Sequence, residues 1–422
     1  MISKTIRLIS AALAIASLIG CGGSGGKAAA SGKKTTITFW HGMGGPLGDA
    51  LDTMIAGFER ANPGIKVDAV SMSDYSTLSQ KLMGAMQVNA PPNMAQMYES
   101  WTTQFYQLNK LVPVDSLIHG PDGLTEAELA DFYPSFLADN SWDGRLITLP
   151  GNKSVPVFFY NIKMLEDAGY KTFPKTWDDF RAMAKKLTDR QKGIWGTAGG
   201  VNEWMFGCML RQQGGDFLDE QQGKATFNSA AGVKAVQYMY DMVAKDSSAV
   251  YGTGYDPQND FLSGKIACIW GTSVSWTFMK KNMTFPVGIA AVPSAGAPNV
   301  LSFGTNVGIF RTGTPEQVAA CWRFVKWFTS PSQQARWAEL TFYVPARKSS
   351  LEDAGYAKLV SETPGLGDAL AQLDHMSFEP RSEAWFKGRR TLTDALERVM
   401  RGEASAQQAL DEAAAEVEKE MK

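Results

Sequence analysis

Short β-rich runs alternate with helical patterns from Thr35 onward, and this alternation restricts the possible folds more than any other feature. Residues 35–40 form a β-rich run, and apolar residues at helical spacing follow across 51–58. Residues 65–70 alternate as a second strand, and a second helical pattern occupies 78–86. The order β-α-β-α is typical of a parallel sheet with helices on its faces. The sequence therefore predicts an α/β fold.

The size and charge of the chain restrict its domain count and its partners. A chain of 422 residues with 44% hydrophobic content is too long for one ordinary domain, so we expect two lobes. Its 41 Lys and Arg against 43 Asp and Glu give a formal net charge of -2, which disfavours a nucleic-acid-binding protein. No apolar run after the N-terminus approaches the roughly 20 residues of a membrane helix. We expect a small or specific partner and no nucleic acid.

The N-terminus has the layout of an export sequence. Lys4 and Arg7 precede the apolar stretch 8–19, which predicts a secretory signal peptide over residues 1–20. The stretch ends in Leu-Ile-Gly-Cys, which resembles a bacterial lipobox, so Cys21 is the predicted lipidation site. Residues 21–34 are rich in Gly, Ser, Ala and Lys and predict a flexible tether. These features predict an exported protein, anchored to the membrane only by lipidated Cys21 and facing the periplasm or cell exterior. An ordinary signal peptide with an incidental cysteine is the alternative.

The residue inventory argues against several enzyme classes. The three histidines, His41, His119 and His375, lie in no H-E-x-x-H pattern and near no Cys-x-x-Cys pair, so we expect no metal or other cofactor. The serine-hydrolase elbow and the Walker A loop are both missing from the sequence. A glycosidase needs only two carboxylates, so that class stays open.

The cysteines after Cys21 are three in number, which is odd for an exported chain. Cys208, Cys268 and Cys321 all lie in apolar contexts. They are expected to be buried small hydrophobic residues, with one disulfide pair as the alternative.

Several motifs together resemble one protein family. Residues 37–41 with Phe58, Asn62 and Pro63, and residues 156–161 with the Pro-Lys-Thr-Trp run at 174–177, are similar to segments of the sugar-type extracellular solute-binding proteins of bacterial ABC importers. The resemblance implies a two-lobed periplasmic-binding-protein-like (type II) fold with the ligand cleft between the lobes. It implies an N-terminal lobe of 35–149 plus 298–345 and a C-terminal lobe of 150–297 plus 346–422. It also implies a monomer that closes on its ligand and docks on a permease, and that is not an enzyme.

Within this family, residues 39–43, 96–99 and 342–345 are most similar to the members that bind glycerol-3-phosphate. The resemblance assigns the glycerol hydroxyls to Tyr75 and Glu99. The remaining implied ligand contacts, comprising the phosphate partners and an aromatic wall, are Ser154, Ser273, the backbone at Gly304, Tyr343, Arg381 and Trp204. A planar guanidinium suits a phosphate, so Arg381 is the expected anchor. Lys153 adds a positive charge beside the expected pocket.

Other functions stay open from the sequence. The ligand could be a glycerophosphodiester, or a sugar or oligosaccharide, for which aromatic stacking would dominate and Arg381 would be idle. A secreted carbohydrate-active enzyme would need a second carboxylate roughly 5 to 9.5 Å from the first, and only Glu99 is a candidate. In an adhesin or structural lipoprotein, Tyr75, Glu99 and Arg381 would not converge.

Overall fold

The computed structural model describes residues 34–421. The predicted signal peptide, Cys21 and nearly all of the predicted tether lie outside the described residues. No helix between residues 34 and 421 is long and apolar enough to cross a membrane. The strands are β1 Thr35–His41, β2 Ile65–Ser71, β3 Met94–Met97, β4 Leu111–Val112, β5 Ser141–Trp142, β6 Arg145–Leu146, β7 Leu149–Ser154, β8 Pro156–Asn161, β9 Trp195–Gly199, β10 Leu218–Asp219, β11 Lys224–Ala225, β12 Ala249–Tyr251, β13 Ile266–Thr272, β14 Val287–Ala290, β15 Val300–Leu301, β16 Phe303–Phe310 and β17 Met376–Ser377.

Helices cover much of the remaining chain. The α-helices are α1 Gly45–Ala61, α2 Tyr75–Gln87, α3 Glu99–Gln107, α4 Val114–Ile118, α5 Glu126–Ala130, α6 Pro134–Asp139, α7 Ile162–Asp167, α8 Trp177–Leu187, α9 Glu203–Gln212, α10 Ala230–Ala244, α11 Asp256–Leu262, α12 Ser275–Met279, α13 Pro315–Phe328, α14 Pro331–Thr341, α15 Ala354–Glu362, α16 Leu366–Leu370, α17 Glu383–Met400 and α18 Ala406–Glu420. Short 3-10 helices occupy Arg190–Lys192, Lys280–Asn282, Lys348–Glu352 and Ala371–His375.

The first sheet has the strand order β2-β1-β3-β16-β4, with β7 paired to β16. Its first three strands are parallel, as the β-α-β-α order predicts, and β16 is antiparallel to β3 and β7. The helix α1 buries Leu51, Met54 and Phe58 in the core of this part of the molecule. It ends before Asn62, whose backbone N–H bonds to the carbonyl of Phe58, and Pro63 follows.

The second sheet has the order β12-β9-β13-β8-β14. Strands β12, β9 and β13 are parallel, whereas β8 is antiparallel to β13 and β14. The carboxyl ends of the three parallel strands therefore meet at one edge, which is where open α/β sheets hold their ligands.

The chain passes from the first sheet to the second through a single residue. Strand β7 ends at Ser154, β8 begins at Pro156, and Val155 between them is fully buried. The predicted lobe boundary at residue 149 falls at the start of β7, which pairs with β16 as far as Ser154. The division of the whole chain into two sets of residues stays a prediction.

The C-terminal helices form a packed pair that reaches both parts of the molecule. Leu392, Leu396 and Val417 lie on their buried faces, as the amphipathic pattern of this region predicts. A Cβ at Gly388 would lie 3.0 Å from Val417 Cγ2, so the glycine allows the two helices to approach closely. Helix α17 also packs against α3, which follows β3 of the first sheet, and against α9, which follows β9 of the second sheet.

Candidate functional site

A cavity of about 170 Å³ lies where elements of the two sheets meet, and we call it the cleft cavity. Its lining residues are Tyr75, Tyr98, Glu99, Ser154, Trp204, Thr272, Val274, Ser302, Phe303, Gly304, Tyr343, Phe378, Glu379 and Arg389. Six of the eight residues expected from the sequence are among them, and Ser273 and Arg381 are not.

Tyr75 begins helix α2 and is held at the cleft cavity by local capping and by a polar contact. Asp74 caps the helix by accepting from the backbone N–H of Thr77 at 2.8 Å. The Tyr75 hydroxyl accepts from Asn152 Nδ2 at 3.0 Å, and burial of this side chain raises its pKa. The ring meets Tyr98 edge-on, with centroids 5.3 Å apart. Tyr98 was not predicted; its place directly after the buried strand β3 and directly before Glu99 is the sequence signal that points to it.

Glu99 belongs to a buried group of one lysine and two carboxyl groups. Lys153 Nζ lies 3.3 Å from Glu99 Oε1 and 2.5 Å from Asp139 Oδ2. The side chains of Lys153 and Asp139 are 1% and 0% exposed, whereas that of Glu99 is 18% exposed and borders the cavity. Burial, with a smaller effect of the nearby Asp139, raises the pKa of Glu99 to about 8. The predicted extra positive charge of Lys153 is therefore already paired inside the protein.

Tyr343 and Gly304 reach the cavity from two irregular backbone positions. Helix α14 ends at Phe342, which adopts the left-handed conformation with a φ of 58°, and the Tyr343 ring then stacks on Trp337. Gly304 has a φ of 117°, and a Cβ there would lie 1.8 Å from the carbonyl oxygen of Asn152. Only glycine fits this position, so strand β16 can pass directly against β7.

Ser273 is fully buried, and its Oγ has no hydrogen-bond partner among the described residues. Its neighbours Thr272 and Val274 line the cleft cavity, whereas Ser273 itself does not. Its backbone N–H donates to the carbonyl of Val155 at 2.9 Å, which fixes the end of β13 beside the connection between the sheets.

Arg381, the phosphate anchor expected from the sequence, is not on the lining of the cleft cavity. Its Nη1 donates to the carbonyl of Ala138 at 2.8 Å and to that of Ser141, and its guanidinium lies 5.1 Å from the ring centroids of both Trp142 and Phe378. These contacts engage Nη1 and the face of the guanidinium, and the side chain lines a separate cavity. Arg381 therefore ties the segment before α17 to the β5-β6 hairpin.

Arg389 is on the lining of the cleft cavity, where the sequence predicts Arg381. Its guanidinium borders the cleft cavity, 3.3 Å from Glu203 and 3.5 Å from Glu379, with its carbon 5.1 Å from the centroid of the Trp204 ring. Burial opposes its charge, but the two carboxylates outweigh that effect and raise the pKa of Arg389. A sequence signal exists: Arg389 lies one turn before the buried Leu392 on the apolar face of α17.

Glu379 is the second cavity carboxyl group that sequence reasoning missed. Its Oε1 is buried and has no hydrogen-bond partner within residues 34–421, and burial raises its pKa. The charged groups in and behind the cavity are the cations Lys153 and Arg389 and the carboxyl groups Glu99, Asp139, Glu203 and Glu379. The site therefore offers one guanidinium and several hydroxyl acceptors, without a surplus of positive charge.

A larger cavity of about 550 Å³ adjoins the first, and we call it the side chamber. It shares Trp204 and Thr272 with the cleft cavity and extends over the carboxyl ends of β9, β12 and β13. The described part of the chain contains no group of three or more His, Cys, Asp or Glu residues that could hold a metal ion.

The two-sheet architecture is that of solved solute-binding proteins. A cyclic α-maltosyl-1,6-maltose binding protein from Arthrobacter globiformis aligns with a TM-score of 0.78 at 23% identity, covering 92% of this chain and 99% of that one. UgpB from Mycobacterium tuberculosis in complex with glycerophosphocholine aligns with a TM-score of 0.78 at 22% identity, covering 92% and 98%. The predicted two-lobed α/β binding-protein fold is confirmed.

Sequence comparison identifies the family. The model of the bacterial extracellular solute-binding protein family matches residues 53–364. The sn-glycerol-3-phosphate-binding periplasmic proteins UgpB of Salmonella typhimurium and Escherichia coli K12 are 26% and 25% identical, each over 90% of this chain and 91% of its own length. The chain belongs to the bacterial extracellular solute-binding family. It is a substrate-binding component of an ABC importer, and its relatives are binding proteins rather than enzymes.

Proposed function

We propose that this protein binds a glycerophosphate-type ligand in the cleft cavity and delivers it to the permease of an ABC importer. The UgpB relatives are named for sn-glycerol-3-phosphate, and the M. tuberculosis neighbour holds glycerophosphocholine. The observation that carries the proposal is the presence of Arg389 and Glu99 in the lining of one small cavity.

The two residues suit the two ends of such a ligand. Arg389 has five N–H donors, and its two carboxylate contacts, at 3.3 and 3.5 Å, are longer than an ideal charge-assisted hydrogen bond. It can therefore donate to phosphate oxygens as well. Ionised Glu99 accepts from vicinal glycerol hydroxyls, with Tyr75 and Ser154 beside it. Trp204 covers the carbon atoms between them.

The charge inventory favours a phosphodiester over a phosphomonoester. A monoester carries up to two negative charges at neutral pH, whereas a diester carries one. Among residues 34–421, Arg389 is the one cation on the lining, because Lys153 does not border the cavity and is buried and paired with Asp139. Glu203 and Glu379 already offset the charge of Arg389, so a ligand with one negative charge meets less repulsion there than a ligand with two, and we propose a glycerophosphodiester as the preferred ligand.

Calorimetric titration of the chain without residues 1–33 tests the ligand. Residues 34–422 form one compact unit by their internal contacts. We expect binding of glycerol-3-phosphate and tighter binding of glycerophosphocholine. The Arg389→Gln variant should lose about 30- to 150-fold in affinity, the equivalent of a hydrogen-bonded charged group at about 2 to 3 kcal/mol.

The neighbouring Arg390 supplies the matched control, because it lies on the same helix and is exposed. Arg390→Gln should bind like the wild type. Equal affinity of Arg389→Gln and wild type, with both variants shown to be folded by circular dichroism, would refute the proposed phosphate partner.

A sugar is the second candidate ligand. The excess of carboxyl groups over cations in the cavity suits neutral hydroxyls, and the Trp204 ring on the lining, 4.6 Å from that of Phe303, supplies an aromatic surface for a sugar ring. Maltose is therefore the second arm of the titration. Binding of maltose alone, unchanged by Arg389→Gln, would replace the glycerophosphate proposal with this one.

We also propose that Cys21 carries a lipid anchor. Support comes from the lipobox-like sequence and from the extracellular assignment of the family. Expression of the full chain with labelled palmitate should place label in the wild type and none in Cys21→Ser. Label in the variant would contradict the anchor while leaving the ligand proposal intact.

A further inference from the structure

The side chamber has a lining that differs chemically from that of the cleft cavity. It opens where β9, β12 and β13 end, the edge at which parallel strands of an open sheet present a ligand site. Two aromatic residues, Tyr251 and Tyr255, lie on it while 37% and 78% exposed, and Trp204 and Trp270 line it as well. These rings supply aromatic surface to the chamber.

Carboxyl groups are the ionisable charges of this lining. Glu203 and Glu397 border the chamber, and among residues 34–421 no lysine, arginine or histidine does so. Each carboxylate has an arginine partner, Arg389 at 3.3 Å from Glu203 and Arg401 at 2.8 Å from Glu397, but neither arginine is on the lining. The lining itself therefore presents aromatic rings and carboxylate oxygens, and aromatic rings attract organic cations.

Glu203 and Arg389 form a polar pair at the boundary between the two cavities. Arg389 borders the cleft cavity, whereas Glu203 borders the side chamber, and Trp204 next to Glu203 borders both. On the cleft side the lining thus holds the cation Arg389 together with Glu99 and Glu379, whereas on the chamber side it holds Glu203 and Glu397 and no cation among residues 34–421. A zwitterion with its phosphate in the cleft cavity and its cation in the chamber matches this order of charges.

We infer that the side chamber binds the alcohol substituent of the phosphodiester and selects a substituent that carries an organic cation, such as a quaternary ammonium group. This inference rests on the proposed function, because the phosphate at Arg389 directs the substituent into the chamber. It adds a second recognition site, separate from the glycerol and phosphate contacts.

An isosteric pair of ligands isolates the cation. Glycerophosphocholine is compared with its carbon analogue, the 3,3-dimethylbutyl phosphodiester of glycerol, in which a tert-butyl group replaces trimethylammonium at nearly the same size. Calorimetry should give about 5- to 30-fold tighter binding of the choline ester, as expected for a cation held against aromatic rings. Equal or tighter binding of the carbon analogue would overturn the inference.

Two variants test whether the preference for the choline ester arises in the side chamber. Glu397→Gln and Tyr251→Leu should each reduce the choline preference over the analogue, with little change for glycerol-3-phosphate, which has no substituent. Glu412→Gln is the matched control, because Glu412 also pairs with an arginine, Arg398 at 2.6 Å, but lies outside the chamber. An unchanged choline preference in both chamber variants would also refute the inference.

The outcomes separate this inference from the proposed function. If neither diester nor glycerol-3-phosphate binds the wild type, the proposed function fails. If glycerol-3-phosphate binds in an Arg389-dependent manner and the isosteres bind equally, the proposed function holds and the inference alone is wrong.

Discussion

Replacing Lys153 with methionine should destabilise the fold far more than the loss of one surface charge would. Lys153 is 1% exposed, and its Nζ lies 2.5 Å from the carboxylate of Asp139, which is fully buried and whose Oδ1 has no other partner among the described residues. Methionine keeps the length of the side chain but leaves Asp139 as an unpaired buried charge. Breaking a buried ion pair in this way costs about 3 to 5 kcal/mol. We therefore expect Lys153→Met to lose that much free energy of unfolding.

Urea denaturation at pH 7, followed by tryptophan fluorescence, measures this loss as a shift of the midpoint at constant slope. In the double variant Lys153→Met/Asp139→Leu both charges are gone, so most of the stability should return. Lys163→Met, which breaks an exposed pair with Asp167 at 2.9 Å, should leave the midpoint almost unchanged. A cost below about 1 kcal/mol for Lys153→Met, or a double variant no more stable than that single one, would refute the reasoning.

Three further predictions concern separate parts of the molecule. Because the pKa of Glu99 is raised to about 8, this carboxyl group is mostly protonated at neutral pH, and its ionisation makes both oxygens acceptors for the two glycerol hydroxyls. Affinity should therefore rise from pH 6 to pH 9, with proton release seen by calorimetry in buffers of different ionisation enthalpy, and Glu99→Gln should abolish both effects. Arg381→Ala should lower the free energy of unfolding by about 1 to 2 kcal/mol through lost hydrogen bonds. It should change ligand affinity much less than Arg389→Gln does. A larger loss of affinity in Arg381→Ala than in Arg389→Gln, measured in parallel titrations, would support Arg381 as the phosphate anchor. Burial raises the thiol pKa of Cys208, Cys268 and Cys321 to about 12, so Ellman's reagent should detect no thiol in the folded chain without residues 1–33 and three after unfolding; rapid reaction in the folded state would contradict their burial.

The fold was predictable because its signals are local. The first three strands and the helices between them carry their own periodicity, so β1, α1, β2 and α2 could be placed from short windows of sequence. Glu99 and Tyr75 were assigned to the ligand site by the family resemblance alone, and the structure places both on the lining of the cleft cavity, after strands β3 and β2 of the first sheet. The buried cysteines likewise followed from their apolar neighbours, and all three are unpaired within the described chain.

The electrostatics of the site could not be predicted in the same way. Arg381 and Arg389 lie eight residues apart, and nothing in the adjacent sequence shows that the first is taken up by the carbonyls of Ala138 and Ser141. The charge of Lys153 is paired with Asp139 on α6, a contact between residues 14 positions apart whose existence depends on how α6 packs against β7. The pairing of a charged side chain depends on which residues the fold brings next to it, and those residues come from other parts of the chain.

The placement of the two ends of the ligand site explains how binding can be coupled to closure. Tyr75 and Glu99 lie on helices that follow strands of the first sheet, whereas Trp204 and Thr272 belong to elements of the second. Arg389 comes from α17, which packs against α3 and α9. A ligand that bonds to Glu99 at one end and to Arg389 at the other gains its full interaction energy only when the two sets of residues are close together. A ligand stabilises a conformation by as much as it binds that conformation more tightly than the alternative. We therefore expect closure to require both ends of the ligand, so that glycerol or phosphate alone binds without closing the protein.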